Sequence, residues 1–194
     1  MTQDTKHRII EAGARIIHRK GYFHTGIQEV LDSAGVPKGS FYFYFNGKED
    51  FGLQVVDYYN SLYLVMLDPI LGDKSLPALK RIERILDHFI GVFTERECTC
   101  GCPIGNLSQE MGDLSPAFSS KLAASVEVIT DVYKKLLDEA KAAQEISQET
   151  DTRDTAEFIV SSWHGSLIRM KITKSTAPLM LHKQFVLGLL RRDA

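Results

Sequence analysis

The stretch from Thr25 to Lys48 reads TGIQEVLDSAGVPKGSFYFYFNGK and contains two helix signals separated by a turn signal. Thr25 is an N-cap type residue. Apolar residues then recur at the i, i+3, i+4 and i+7 spacing of one helix face: Ile27, Val30, Leu31 and Ala34. Gly35 suits a left-handed helix C-cap, and Pro37 suits the first turn of a following helix. The pattern predicts a short helix, a tight turn and a second short helix.

The second short helix, predicted over Lys38 to about Phe45, presents a polar outer face. Phe41 and Phe45 are four residues apart and therefore lie on one face, which anchors the helix. At about 100° per residue, the side that points away from this anchor carries Gly39, Ser40, Tyr42 and Phe43, with Lys38 at its border. Because so short a helix is not stable alone, we interpret its outer face as a binding surface. The pattern predicts a helix-turn-helix, whose second helix enters the major groove of DNA.

The run GVPKGSFYFYFNGKEDF resembles the recognition-helix signature of the TetR family of one-component transcriptional repressors. The resemblance covers about residues 5–55, and it rests on residue order, turn chemistry and aromatic placement together. It implies DNA-binding residues at Thr25, Gln28, Lys38, Gly39, Ser40, Tyr42, Phe43, Tyr44 and Lys48. Of these, Thr25, Tyr44 and Lys48 are expected to contact phosphate. Gln28, Lys38 and Tyr42 are expected to reach base edges.

Two residues depart from the usual pattern of the family. Pro37 stands where members often have a hydroxyl residue, and Phe43 stands where they often have a histidine. Both changes remove polar contacts, so Phe43 is expected to touch a thymine methyl group or to cover a sugar. The sequence therefore does not predict which bases are read. The alternative interpretation makes Tyr42, Phe43 and Tyr44 ordinary core aromatics of a helical bundle.

The composition is that of an ordinary soluble protein, and the net charge of −2 is low for a DNA-binding protein but is unevenly distributed. The 194 residues are 44% hydrophobic and 25% charged, which is ordinary for a soluble protein. No apolar run approaches the ~18 residues of a membrane span, and no signal-peptide core is present, so we expect a cytoplasmic protein without a membrane partner. Residues 1–48 hold seven Lys and Arg against four Asp and Glu, a net +3, so the remainder carries −5. This asymmetry suits a basic DNA-facing module on an acidic body.

Helical periodicity continues along the rest of the chain, without β-alternation or internal repeats. A first helix over residues 5–20, ended by Gly21, completes a three-helix module with the two short helices. A long helix runs from Lys48 to Asp68-Pro69, and no linker separates it from the module. Further helices are predicted from Ser75 as N-cap, near 104–112, and over 116–143, 152–174 and 177–191. The expected fold is all-α with about nine helices.

The last two helices are apolar over a wide arc, which requires partners on more than one side. Their apolar residues are Phe158, Ile159, Val160, Trp163 and Leu167, then Leu179, Met180, Leu181, Phe185, Val186, Leu189 and Leu190. The TetR resemblance implies that these helices form a homodimer, which presents two recognition helices to a palindromic operator. The alternative is a monomer with these helices at its centre. We expect a helix-turn-helix domain of residues 1–48 and a ligand-sensing and dimerisation domain of residues 49–194.

Three cysteines within five residues, Cys98, Cys100 and Cys102, mark the candidate sensor. The segments GCPIGNLSQE and WHGSLIRMKITKS resemble the NemR-like, electrophile-responsive branch of the family. In that branch the positions of Cys102 and Lys171 are the implied reactive pair. A thiolate beside an ammonium group has a lowered pKa and is alkylated or oxidised more readily. The alternative is that these cysteines only pack in the core.

Two other modes of sensing remain open. The Cys-x-Cys-x-Cys spacing supplies soft ligands for Zn(II) or Cu(I), and His88 or His164 is a candidate further ligand. A reversible small-molecule inducer would instead bind in a mostly apolar pocket between the bundle helices. The candidate pocket residues are Tyr63, Phe89, Phe93, Asn106, Met111, Trp163, His164 and Met170. For His164, a hydrogen-bonded core histidine is the alternative.

The predicted function is transcriptional repression: a dimer holds a palindromic operator on double-stranded DNA until a small-molecule ligand or modification of a cysteine thiol releases it. A metal-responsive DNA-binding protein and a cysteine-dependent enzyme are alternatives. No local motif supplies the base and orienting group that such an enzyme needs, so we predict no catalytic residue and no cofactor. A nucleoid protein would be more basic. The inducer, the operator sequence and the regulated genes are not predictable from the residues.

Overall fold

A computed structural model describes residues 3–192, and the side chains of all but the first and last of these. This part of the chain contains nine α-helices, one 3-10 turn and no strand. The helices are α1 Gln3–Lys20, α2 Ile27–Ala34, α3 Phe41–Tyr44, α4 Lys48–Gly72, α5 Ala78–Glu95, α6 Pro103–Met111, α7 Pro116–Ala142, α8 Thr152–Thr173 and α9 Ala177–Arg192. None of these helices is long and apolar enough to cross a membrane. The predicted all-α fold is confirmed.

The chain forms two compact units, and each of them is discontinuous in sequence. The first contains the residues up to Leu64 together with Pro103–Ser125, which are α6 and the start of α7. The second contains Val65–Cys102 and the residues from Val126 onward. Both α4 and α7 therefore contribute to both units. Neither unit ends at residue 48, and the expected division into a helix-turn-helix domain of residues 1–48 and a sensing and dimerisation domain of residues 49–194 stays a prediction.

An aromatic core beneath α3 holds the first unit together. Phe41, Phe45 and Phe51 are buried, and their ring centroids lie 5.0, 5.2 and 5.6 Å apart. Gly13 of α1 makes room for this core, because a Cβ atom there would lie 2.1 Å from Cζ of Phe51. Buried aromatic rings contribute large apolar areas to a core. Phe41 and Phe45 therefore anchor α3 as the sequence predicts.

The start of α2 differs from the prediction. Gly26, with an extended backbone, is the N-cap residue, and no side chain caps the helix. Thr25 is buried instead, and its hydroxyl donates to the carbonyl oxygen of Gly21 at 2.7 Å. The assignment of Thr25 as N-cap is therefore wrong, because its hydroxyl bonds backwards to the end of α1. The end of the helix is as predicted: Gly35 has a left-handed φ of 63°, and its N–H donates to the backbone carbonyl oxygen of Asp32.

Two helix ends in the second unit also differ from the prediction. The long helix α4 continues through Pro69 to Gly72, although a proline lacks the N–H that would donate to the carbonyl oxygen four residues earlier. The next helix, α5, begins at Ala78 rather than after Ser75. The N–H groups of Ala78 and Leu79 donate to the carboxylate of Glu145 at 3.0 and 2.8 Å. A glutamate between α7 and α8 therefore caps α5, and an acidic group is favourable at that end of a helix.

Candidate nucleic-acid interface and sensor region

The outer face of the helix-turn-helix consists of residues that do not pack in the aromatic core. Tyr42 and Phe43 are 69% and 76% exposed, and Lys38 and Gly39 are also exposed. The single helix predicted over these residues is a 3-10 turn, Lys38–Ser40, followed by α3. The predicted outer face is nevertheless exposed across the 3-10 turn and α3. The alternative that Tyr42 and Phe43 are core aromatics is wrong, because both rings face solvent.

Tyr44 and Ser40 border this face and are half-buried. The rings of Tyr44 and Phe43 pack edge to face, with centroids 4.9 Å apart. On α2, Gln28 is exposed, and its side-chain amide donates to the Asp32 carboxylate at 2.7 Å. Gln28, Ser40 and Tyr44 are therefore all at or near the surface that the sequence predicts to face DNA.

Thr25 is not on this surface. Its side chain is only 2% exposed, its hydroxyl donates to Gly21, and its N–H donates to the carbonyl oxygen of Tyr22. The expected phosphate contact through Thr25 is therefore not available, because both of its donors are used inside the turn. The sequence pattern did not indicate this, since a threonine hydroxyl can cap a helix or hydrogen-bond within a turn.

Lys48 lies against the turn between α1 and α2. Its ammonium group donates to the carbonyl oxygen of Phe23 at 3.2 Å and lies 4.6 Å from the centroid of the Tyr22 ring. Partial burial lowers the pKa of Lys48. An ammonium group has three N–H donors, so this arrangement leaves donors for a phosphate.

A carboxylate from α6 holds the same turn. The two side-chain oxygens of Glu110 accept hydrogen bonds from the N–H groups of Tyr22 and Phe23 at 2.8 and 2.7 Å. Gly21 has a φ of +89°, and a Cβ atom there would lie 3.0 Å from Oε2 of Glu110, so glycine makes room for the carboxylate. Burial, with the nearby charges of Glu49 and Glu110, raises the pKa of Tyr22 to about 12. Glu110 was not predictable from the sequence, because no local pattern marks a partner 88 residues away.

Arg8 also serves the first unit internally. Its guanidinium group donates to the carbonyl oxygen of Ala34 at 2.5 Å, at the C-terminal end of α2. A cation is favourable at that end of a helix. Arg8 therefore fixes α2 against α1.

The cysteines lie between α5 and α6 in a segment with an unusual backbone. Cys98, Cys100 and Cys102 are not in disulfide bonds; Cys98 is buried and the other two are half-buried. Glu97, Cys98 and Cys100 have φ angles of 51°, 56° and 64°. Residues with a side chain rarely adopt such positive φ angles, so this segment is strained.

Cys98 belongs to an apolar cluster that joins three helices of the second unit. Its buried members are Ile90, Phe93, Cys98, Leu167, Met170 and Leu179, with Phe89, Cys102 and Trp163 packed against them. We call this group the cysteine cluster. It connects the strained segment to α5, α8 and α9.

The predicted pocket residues divide between the two compact units. Phe89, Phe93, Trp163, His164 and Met170 belong to the second unit, and Tyr63, Asn106 and Met111 belong to the first. Four of them, Phe89, Phe93, Trp163 and Met170, take part in the cysteine cluster. Burial lowers the pKa of His164, which favours its neutral form. Lys171 is half-buried in the last turn of α8. A ligand role for these residues stays a prediction.

The described part of the chain contains no cluster of side chains that could bind a metal ion, as the metal-responsive alternative requires. Between residues 4 and 191, no group of three or more His, Cys, Asp or Glu side chains stands where it could hold a metal ion. The Cys-x-Cys-x-Cys spacing therefore does not bring its thiols together with His88 or His164 as a ligand set.

The helices α8 and α9 pack against each other and leave an apolar face exposed. The exposed apolar side chains of the two helices are Phe158, Ile168, Ile172, Met180, Leu181, Phe185 and Leu189. A groove of about 610 Å³ runs between the two helices, with Gly165 and Arg169 on one side and Phe185 on the other. The wide apolar arc of each helix therefore has a buried part, with residues such as Ile159 and Val186, and an exposed part, with residues such as Phe158 and Phe185.

His182 is buried beneath this groove. Its Nε2 atom donates to the carbonyl oxygen of Ile159 at 3.1 Å and lies 3.0 Å from Oγ of Ser162. The Trp163 ring packs edge to face against it, with centroids 5.2 Å apart. Burial lowers the pKa of His182, although the hydrogen bond to Ile159 opposes this shift.

A helix-turn-helix module joined to an all-helical body is the architecture of a DNA-binding transcriptional regulator. Residues 9–55 match the family of bacterial regulatory proteins called the tetR family. Residues 78–186 match the tetracyclin repressor-like C-terminal domain. The chain belongs to the TetR family of transcriptional regulators, and the resemblance noted in the recognition helix is confirmed.

Individual relatives agree with this assignment. The transcriptional regulator AcuR of Cereibacter sphaeroides is 35% identical over 171 residues, which cover 88% of this chain and 78% of AcuR. The repressor NemR of Escherichia coli strain K12 is 26% identical over 176 residues, 91% of this chain and 88% of NemR. The crystal structure of regulatory protein TetR from Rhodobacter sphaeroides has a TM-score of 0.87 and 33% identity, and the match covers 94% of this chain and 96% of that one. The matched relatives are transcriptional regulators, and dimerisation is typical of the family.

Proposed function

We propose that this protein represses transcription by binding a palindromic operator as a dimer, and that a small-molecule ligand or an electrophile releases it. The observation that carries the proposal is the outer face of α3. Tyr42 is 69% exposed although the neighbouring Phe41 is fully buried. A four-residue helix is not stable alone, and Tyr42 and Phe43, two of its four residues, turn their rings to solvent instead of the core, so we assign this face to a partner.

The chemistry of this face suits the major groove. We assign Lys38, Gln28 and Tyr42 to base edges, where Lys donates to guanine and Gln pairs with adenine. Gly39 allows the backbone to come close, Ser40 supplies a hydroxyl, and Phe43 covers a sugar or a thymine methyl group. Tyr44 and Lys48 are assigned to phosphates, which position the protein without specifying the sequence. Thr25 is left out, since its side chain is buried.

A dimer through α8 and α9 completes the proposal. The exposed apolar side chains on these helices, among them Phe158 and Phe185, are of the kind that a subunit interface covers. A second copy of the face would fill the groove between the helices with its own aromatic side chains. A two-fold dimer then requires half-sites one helical turn of DNA apart, ~34–36 Å, or a multiple of that spacing.

Release of the operator is proposed to begin at the cysteine cluster. The candidate reactive pair is Cys102 with Lys171, because an ammonium group favours the thiolate that attacks an electrophile. A packed core has no room for an added group. Modification would therefore displace the segment that joins α5 to α6. A reversible ligand bound among Phe89, Phe93 and Trp163 would act on the same helices and is the competing mode of release.

The test is a gel shift on the DNA upstream of the protein's own gene, with and without oxidant, electrophile and reductant. We expect the wild type to bind this DNA and to release it after treatment with the electrophile, while Cys102→Ser stays bound. If the wild type does not shift this DNA at all, the repressor proposal fails. If wild type and Cys102→Ser respond alike, thiol sensing fails while repression survives.

A further inference from the structure

The turn between α1 and α2 is held by side chains from α6, from α4 and from the turn itself. Its Tyr22 and Phe23 N–H groups donate to Glu110 of α6. The Phe23 carbonyl oxygen accepts from Lys48 of α4, and the Gly21 carbonyl oxygen accepts from Thr25. This turn leads directly into α2, so whatever holds it also sets where the helix-turn-helix begins.

Glu110 lies in the last turn of α6, and the buried residues of this short helix fix its orientation about its own axis. Ile104, Leu107 and Met111 are buried on one face of α6. Glu110 is half-buried beside this face, and its carboxylate meets the turn with one oxygen on each N–H group. Hydrogen bonds to a charged acceptor are about twice as strong as neutral ones. Because one carboxylate accepts both bonds, a movement of α6 would break the bonds to Tyr22 and Phe23 together.

Phe23 connects Glu110 to a proposed DNA contact. Its N–H group donates to Glu110, while its carbonyl oxygen accepts from the Lys48 ammonium group. Loss of the Glu110 bonds would let this turn move, and the support of Lys48 would move with it. The same helix α6 begins at Pro103, directly after Cys102. One short helix thus links the segment that carries the cysteines to the turn that supports Lys48.

We propose that Glu110 is a positioning residue for operator binding: it holds the turn between α1 and α2 and thereby places Lys48 for its phosphate contact. This inference rests on the proposed function, because it assumes that Lys48 faces an operator. Glu110 itself makes no DNA contact in this scheme. A neutral amide at this position keeps one acceptor but sets an NH2 group against the second N–H group.

The experiment measures operator affinity by fluorescence anisotropy for the full-length wild type, Glu110→Ala and Glu110→Gln, with Gln109→Ala as the matched control. Gln109 is exposed on the same helix. We expect Glu110→Ala to bind about tenfold more weakly, Glu110→Gln to fall between it and the wild type, and Gln109→Ala to bind normally. Hydrogen exchange should show faster exchange of the Tyr22 and Phe23 amides in Glu110→Ala.

A double-mutant cycle with Lys48→Ala separates positioning from general stability. If Glu110 acts through Lys48, Glu110→Ala costs little in a chain that already lacks Lys48. Equal fold-losses in both backgrounds would overturn the inference, and so would wild-type affinity in Glu110→Ala. Should Glu110→Ala fail to fold, the same cycle is run with Glu110→Gln. A wild type that does not bind operator DNA overturns the proposed function instead, which keeps the two failures distinct.

Discussion

The rings of Phe41 and Phe45 pack one helical turn apart with centroids 5.0 Å apart, and this pair holds α3 against the first unit. Truncating Phe41 leaves a cavity in the aromatic core, so we expect Phe41→Ala to lower the free energy of unfolding by ~3–5 kcal/mol. Phe43→Ala is the matched control on the same helix, and its exposed ring should change stability by no more than ~0.5 kcal/mol. Urea unfolding of both variants makes the comparison. Equal losses would mean that Phe43 packs in the core as well.

The exposed face of α3 and of the 3-10 turn before it gives a second prediction. Lys38→Ala and Tyr42→Ala should each weaken operator binding by ~1–3 kcal/mol and leave stability unchanged, because both side chains project into solvent. Lys135→Ala removes a similar exposed charge from α7 and serves as the control. Fluorescence anisotropy at constant salt measures the affinities. Unchanged affinity in both the Lys38 and the Tyr42 variant would remove these residues from the DNA-binding surface.

A charge placed on the face of α8 and α9 should prevent dimerisation. Phe185 is 68% exposed, and an arginine there would be buried without a partner if a second copy covers it. We expect Phe185→Arg to weaken the dimer by about 3 kcal/mol or more. Sedimentation equilibrium measures the dissociation, and Leu114→Arg, at another exposed apolar residue, is the control. A double variant with Phe158→Arg that remains dimeric would place the interface elsewhere.

His182 should make stability depend on pH. Burial lowers its pKa below the ordinary value of 6.5, so the unfolded chain takes up a proton more readily than the folded chain. The free energy of unfolding therefore falls as pH falls through 6.5 towards the lower pKa of the folded state, and it is restored above 6.5. His182→Gln removes this contribution. We expect the difference in stability between wild type and variant to change between pH 5 and 8 when unfolding is measured at constant protein concentration. A constant difference would show that His182 does not titrate differently in the two states.

Features set by neighbouring residues were predictable from the sequence. Gly35 at the end of α2, and the i, i+4 pair of Phe41 and Phe45, depend on backbone conformation and helical periodicity, which operate over a few residues. For the same reason the centre of each long helix agrees with its apolar pattern. The exposed side of α3 follows from the buried side, so the position of Tyr42 was predictable as well.

Features that depend on distant residues were not predictable. Glu145 caps α5 from 66 residues away, and Glu110 holds the turn at Phe23 from 87 residues away. Neither carboxylate carries a local signal, because only the folded chain brings it to the N–H groups it accepts from. The expectation for Thr25 was wrong for a different reason: its type suits an N-cap, where the hydroxyl oxygen would accept from a backbone N–H, but the hydroxyl donates to the Gly21 carbonyl oxygen instead. The positive φ angle of Cys98 likewise has no counterpart in residue type.

The helices α4 and α7 cross from one compact unit to the other after Leu64 and after Ser125. A chimaera that grafts the DNA specificity of one family member onto the sensor of another must therefore be spliced inside two helices and must carry α6 with the graft. Each added or deleted residue at a splice would rotate everything beyond it by about 100°. Chimaeras that preserve the helical phase at each splice should be functional. Exchanging only the first 48 residues would instead set a foreign turn between α1 and α2 against the original Glu110.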